Sequence, residues 1–273
     1  MSIQIRTLAS GSEGNALVAD FDGFCLMIDA GIRSKAFNEL TDPGVLPSEG
    51  PKALLLTHEH SDHCLGLAAF MKQWDMPVYA SRGTFEGLAK HSFFSKLPKD
   101  RFHLFKAGEG FTLGPLKVQS VPTSHDAAEP VAYRLEAADY AFGCLTDLGC
   151  FTEDTVAAFQ GVNALLLEAN HNRRILEAGP YPYWLKQRVD SDRGHLCNEM
   201  AGEFIKRIYH PGLREVMLGH LSRTNNFEPL ARETVLASLR EIPGAAERVK
   251  LFVAPAKGLS ERMGRPDASR PPQ

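Results

Sequence analysis

The chain has 273 residues, 44% of them hydrophobic and 23% charged, with a formal net charge of −3. That is enough core for one large α/β domain or two small ones, under an ordinary globular surface. It excludes a protein that holds nucleic acid through overall positive charge, so any such binding must use a local patch. In chain order, residues 3–8, 15–19 and 24–29 read as short strands, apolar and β-branched or aromatic, set off by Gly11, Gly14 and Gly23. Residues 53–57, Ala-Leu-Leu-Leu-Thr, suit a buried strand, and 65–74 have helical spacing. Residues 116–121, 131–136 and 140–146 continue as strands, and 164–168 as another buried one. A charge-rich helical stretch follows from about 173 to 209. Late strands at 215–219 and 248–253 flank a helix near 229–241. Strands first, then strands with helices, twice over, suits two sheets packed face to face with helices outside, and on this pattern alone a doubly wound sheet fits as well. Residues 1–259 are expected to form one domain, and the Gly- and Pro-bearing tail 260–273 to be disordered.

The opening residues lack the charged-then-apolar pattern of a secretory signal. No run approaches the roughly 20 apolar residues that a membrane helix needs, so no membrane partner is expected. Five scattered cysteines (Cys25, Cys64, Cys144, Cys150, Cys197), odd in number and without a Cys-x-x-Cys pair, fit reduced thiols in a cytoplasmic protein.

The segment His58-Glu59-His60-Ser61-Asp62-His63, directly after the 53–57 strand, is the strongest chemical signal. Three imidazoles and a carboxylate within six residues are hard to bury without a shared partner. In a strand-to-helix loop His58 and His60 can point the same way, and Asp62 and His63, a turn later, to a neighbouring position. This nitrogen and oxygen set suits zinc, manganese or iron. Cys64 beside it is expected to pack rather than to act as a nucleophile.

These residues resemble the His-x-His-x-Asp-His signature of the metallo-β-lactamase superfamily. The resemblance implies an α/β, four-layer αββα sandwich and further ligands at strand ends. His125 in Pro-Thr-Ser-His-Asp, Asp147 in Leu-Thr-Asp-Leu-Gly and His220 in Leu-Gly-His-Leu-Ser stand in the required order. It assigns His58, His60 and His125 to one divalent ion and Asp62, His63 and His220 to a second, with Asp147 bridging. Asp29, in Met-Ile-Asp-Ala-Gly, would orient the ligand loop through hydrogen bonds rather than bind metal. Two such cations lower the pKa of a water between them, so hydroxide is available near neutral pH for attack.

Asp147, an oxygen donor where zinc β-lactamases carry cysteine, favours the glyoxalase-like and phosphodiesterase branches. The segments Leu8-Ala-Ser-Gly-Ser-Glu-Gly-Asn15, Leu167-Glu-Ala-Asn-His171, Gly194-His-Leu-Cys-Asn198 and Leu218-Gly-His-Leu-Ser-Arg-Thr-Asn-Asn226 are more specific. They resemble the bacterial WalJ/YycJ/VicX family over about residues 3 to 260, which implies a 5′-to-3′ DNA exonuclease with DNA as its partner. Cys197, Asn172 and Thr224 stand where that family is expected to carry serine, aspartate and glutamate. His195 is expected to bind the scissile phosphate or protonate the leaving oxygen, alongside Asp62 as a catalytic group. His171 is expected to support the site without touching metal. Arg173, Arg174, Ser222 and Arg223 are candidates for contacting substrate. Residues 171–223 hold nine Lys/Arg against six Asp/Glu, a modest basic stretch able to seat phosphates or to form ion pairs among its own helices. Tyr181, Tyr183 and Trp184 can stack on a base, but packing in the core is the stronger expectation. The alternatives are a glyoxalase-like thioesterase, which uses the same seven ligands, and a regulatory partner of a signalling system. A homo-oligomer is compatible with all of these.

Overall fold

The computed structural model describes residues 1–41 and 50–265. They divide into two compact units, each with its own sheet and core, within the span that the sequence groups as a single domain. The first comprises Met1–Ala107, Ala127–Pro130 and the residues from Pro255 onward; the second comprises Gly108–Asp126 and Val131–Ala254.

The first unit is built on six strands in sequence order: β1 (Ile3–Ala9), β2 (Ala16–Phe21), β3 (Phe24–Ile28), β4 (Ala53–Leu55), β5 (Val78–Ser81) and β6 (Phe102–Phe105). β1 to β3 form an antiparallel meander, and β3 to β6 run parallel. Its helices are α1 (Ser34–Thr41), α2 (Ser61–Cys64), α3 (Leu67–Gln73) and α4 (Arg82–Leu88). The core gathers Leu8, Val18, Met27, Leu54, Phe37 and Phe70.

The second unit repeats this plan. β7 (Gly110–Leu113), β8 (Leu116–Pro122), β9 (Val131–Ala137) and β10 (Tyr140–Leu145) form an antiparallel meander. β10, β11 (Ala164–Glu168), β12 (Glu215–Gly219) and β13 (Lys250–Val253) then run parallel. β8 alternates buried and exposed residues, whereas β10 and β11 are buried throughout. That is the contrast expected between a strand with one wet face and parallel strands covered on both. The helices are α5 (Glu153–Phe159), α6 (Arg173–Ala178), α7 (Tyr183–Val189), α8 (Asn198–Ile208), α9 (Glu228–Arg240) and α10 (Ala245–Arg248). α8 buries Ala201, Phe204, Ile205 and Ile208, a 3.6-residue stripe that joins the core with Ala231, Val235 and Leu239 of α9.

Three expectations change. The helical stretch 173–209 is three helices, because Pro180 and Pro182 interrupt it and residues 190–197 form a loop. The helix at 65–74 begins earlier, as α2, and resumes as α3. The tail is ordered further than its composition suggests: Met263 pairs with Ile5 in both directions, and Ser260 N–H donates to the Thr7 carbonyl. Residues 266–273 lie outside the described residues. No helix among the described residues is long and apolar enough to cross a membrane.

Candidate metal centre

Chemistry-bearing residues follow the ends of strands in both units, where open parallel sheets place their ligands. Asp29 stands just past β3, Asp147 two residues past β10, and His220 just past β12. All three have left-handed backbone, with φ of 61°, 58° and 55°. Such a residue turns the chain off the sheet and aims its side chain off the strand end, at some conformational cost.

In the first unit the loop after β4 carries His58 and His60, and α2 carries Asp62 and His63. The His58 Nε2 and His60 Nδ1 atoms are 3.1 Å apart, so the two rings do lie on one side of the loop. The His63 ring is 4.1 Å from that of His58, centroid to centroid. Asp29 Oδ1 accepts the Thr57 N–H at 2.9 Å, and its Oδ2 accepts from His63 Nδ1 at 2.7 Å. The Asn15 amide donates to His63 Nε2 at 2.9 Å, which makes Nε2 the lone-pair nitrogen of a neutral ring protonated at Nδ1. Asn15 also ties the glycine-rich loop to α2, its N–H donating to the Asp62 carbonyl at 2.7 Å. That contact depends on Gly31, since a Cβ there would lie 1.6 Å from the Asp62 carbonyl oxygen. The Cys64 thiol is fully buried and donates to the Glu59 and His60 carbonyls. Burial and the carboxylates of Asp29, Asp62 and Glu59 push its pKa far above the usual thiol range, so it is a packing residue.

In the second unit His125, Asp147, His195 and His220 surround one another. Asp147 Oδ1 is 3.9 Å from His125 Nε2, 3.8 Å from His195 Nδ1 and 3.5 Å from His220 Nε2. His125 donates Nδ1–H to the Gly194 carbonyl at 3.0 Å. Burial lowers the pKa of this ring, against the opposing charge of Asp147. The hub is Glu168, the last residue of β11, which was quoted within a sequence motif but given no role there. Its Oε1 accepts from Nδ1 of both His195 and His220 at 2.8 Å, and its Oε2 from the backbone N–H groups of Leu148 and Leu196. Burial alone would raise the carboxyl's pKa; the two rings outweigh it and hold Glu168 well below the usual carboxylate range. Asp147, Glu168, His195 and His220 each offer a donor atom within 4.8 Å of the others.

The donor set fits divalent metal. His63, His125 and His220 each give Nδ1 to an oxygen partner, which leaves Nε2 as the ligand atom, the usual arrangement of metal-binding imidazoles. At His63 the Asn15 amide occupies that nitrogen and would have to turn away for a metal to bind. The sequence signal for this support was present in the Asp at 29 and the Glu at 168, but only burial reveals the second.

The remaining candidates separate. His195 does not cap α8, which starts three residues later; its ring is held by Glu168 and is 18% exposed. His171 is fully buried and reaches Asp190 at 3.3 Å, and Asp190 also binds Arg173 at 3.0 Å. Ser222 uses its hydroxyl to accept the Asn225 N–H at 3.1 Å, a turn contact. Arg174 and Arg223 are exposed. Much of the basic stretch is paired: Arg188 with Asp126, Lys206 with Glu241 and Arg207 with Glu153. Tyr183 and Trp184 are 75% and 65% exposed, so core packing is overturned for both, while Tyr181 is half-buried.

The family model of the Beta-lactamase superfamily domain matches residues 25–221. The chain is 36% identical to the exodeoxyribonuclease YycJ of Bacillus anthracis, over 88% of this chain and 90% of that protein. It belongs to the YycJ/WalJ family. The exodeoxyribonuclease WalJ of Streptococcus pneumoniae serotype 2 (strain D39) is 35% identical over 86% of this chain and 87% of that one. Among solved structures, the metallo-β-lactamase fold protein YhfI of Bacillus subtilis covers 96% of this chain and all of its own, with a TM-score of 0.70 at 18% identity. That likeness shows the metallo-β-lactamase fold, as the signature implied. The glycine-rich Asn15 loop and the Gly194–Asn198 segment each hydrogen-bond a proposed ligand within their own unit.

Proposed function

We propose that this member of the YycJ/WalJ family is a metal-dependent phosphodiesterase that removes nucleotides from DNA in the 5′-to-3′ direction. The observation that carries the reading is the set of imidazoles whose tautomers are fixed by Asp29, Glu168 and the Gly194 carbonyl. They occur in the family's ligand order, in a chain that matches two exodeoxyribonucleases over most of its length. His58, His60, Asp62, His63, His125, Asp147 and His220 would hold two divalent ions, zinc or manganese, with iron a third choice. Such a pair supplies an activated water and polarises the phosphoryl oxygen.

The rest is work for the chain's own side chains. Glu168 holds the His195 ring through Nδ1, which leaves Nε2 as the atom that would pass a proton to the departing oxygen. Its partial exposure lets substrate reach it. His171 and Asp190 hold Arg173 and the start of α6 in place, and the exposed Arg174 and Arg223 are the candidates to meet phosphates.

The deciding assay follows end-labelled single- and double-stranded DNA and RNA with manganese or zinc supplied, beside Asp147→Ala. Stepwise loss from the 5′ end of DNA, absent in the variant, is expected. Cleavage of RNA alone would replace DNA as the substrate. Failure on every nucleic acid by metal-loaded protein would sink the phosphodiesterase reading and direct the search to thioesters.

A further inference from the structure

α7 presents its two largest side chains to water. Tyr183 and Trp184 form its first turn at 75% and 65% exposure, and the helix buries Val189 instead. Neither ring is needed to hold the helix. Lys186 Nζ donates to the Glu177 carbonyl at 2.6 Å, and Arg188 Nε to Asp126 Oδ2 at 2.7 Å. At its far end the Val189 carbonyl accepts the His195 N–H at 2.9 Å. Gly194 makes that closure feasible, since a Cβ there would lie 2.3 Å from the same carbonyl oxygen. Gln187 donates to the Tyr183 hydroxyl at 2.9 Å and steadies the ring while leaving its face open.

The charge around these rings selects their occupant. Residues 173–190 carry Arg173, Arg174, Lys186 and Arg188 against Glu177 and Asp190. Arg173 is paired with Asp190 and Arg188 with Asp126, so Arg174 and Lys186 carry the excess positive charge of this stretch in a chain whose net charge is −3. A second copy of the chain would bring the same cations against this face, whereas charged residues are depleted from the core of self-associating interfaces. Aromatic faces interleaved with cations suit single-stranded nucleic acid, whose bases stack while its phosphates meet the charges.

We propose that Tyr183 and Trp184 are a stacking platform for the unpaired strand of the DNA being degraded, a role that rests on the nuclease reading above. Tyr183 and Val189 stand at opposite ends of α7, and the Val189 carbonyl accepts the His195 N–H, so the aromatic pair and the proposed proton donor are anchored to one helix.

The test uses the metal-loaded protein and a short phosphorothioate oligothymidylate that resists cleavage. The chain has two tryptophans, Trp74 and Trp184, so a Trp74→Phe variant leaves Trp184 as the single reporter. Saturable quenching of its emission by the oligonucleotide is expected. Tyr183→Ala with Trp184→Ala should raise the KM for single-stranded DNA by about tenfold or more, the usual cost of losing stacked bases, with kcat little changed. Trp184→Phe should restore most of the affinity. Trp184 emission that ignores the oligonucleotide, in a protein that still degrades DNA, overturns the platform and leaves the nuclease standing. Wild-type protein that neither binds nor cleaves DNA removes the nuclease reading and the platform with it. A double alanine variant that turns a dimer into a monomer by light scattering would assign the rings to a contact between copies and overturn the proposal.

Discussion

Among the described residues five non-glycine positions have positive φ, and Asp29, Asp147 and His220 are three of them. Left-handed backbone is uncommon outside glycine, and persists where surrounding contacts over-determine it. Those contacts are visible at each position: Thr57 and His63 on Asp29, the imidazoles around Asp147, and Glu168 and Asn170 on His220. Glu168 is the residue whose loss should spread furthest. Glu168→Gln preserves shape but replaces one acceptor oxygen with an NH2 group, which must face either the two ring N–H groups or the two backbone N–H groups. Each buried donor left facing another costs about 1–3 kcal/mol, and a lost outer partner typically lowers metal affinity about 10–100-fold. The variant should therefore melt several degrees lower and release metal to a weaker chelator, measured by calorimetry and by metal analysis after graded dialysis. Unchanged melting and unchanged metal retention would show that the His195 and His220 rings are held by something other than this carboxylate.

Asn172 makes the same case for an element. It stands where the family is expected to carry aspartate, yet the structure gives it a task that both residues perform. Its Oδ1 accepts the Ile175 N–H at 3.1 Å and caps α6. Asparagine and aspartate are nearly equal as N-caps, and alanine is worse by about 1 kcal/mol. Asn172→Asp should leave stability and activity close to wild type, while Asn172→Ala should lower the unfolding free energy by about that amount in urea titration. A large loss of turnover with Asn172→Asp would instead reveal a direct role at the site. Elements of this kind show what the sequence could disclose. β4, β10 and β11 are unbroken apolar runs, and the proposed ligands follow strand ends in a fixed order, so both were legible. α1, α4, α5 and the short strands β5, β6 and β7 were not marked in advance: each has few residues, and β6 and β7 are only half buried, which weakens any periodic signal. Glu168 and Asn15 escaped for another reason. A buried glutamate and a loop asparagine look ordinary in sequence, and only the side chains they meet give them meaning. Tyr183 and Trp184 were misjudged because aromatic residues in a helical segment usually pack inward, while this segment breaks into helices too short to cover them.

For the molecule as a whole, net charge and local pairing set how it can hold a polyanion. The chain is net negative, and within its basic stretch Arg173, Arg188, Lys206 and Arg207 already have carboxylate partners. Attraction at long range is therefore weak, and affinity must come from a few unneutralised cations together with stacking. Each neutralised phosphate on a single strand adds about 0.7 to the slope of log affinity against log salt. The slope for a short single-stranded oligonucleotide should accordingly be shallow, equivalent to about two to four phosphate contacts. Arg174→Ala should reduce it by about 0.7. Arg173→Ala should change it less, because Asp190 lies 3.0 Å from that guanidinium and offsets its charge before DNA arrives. Fluorescence anisotropy across a salt series distinguishes these outcomes. If Arg174→Ala leaves the slope untouched, the exposed cations of α6 are a solvated face, and DNA must be seated on charges elsewhere in the chain. If Arg173→Ala has the larger effect, Asp190 must release its arginine when the strand binds, and the His171–Asp190 contact would be part of how substrate is admitted.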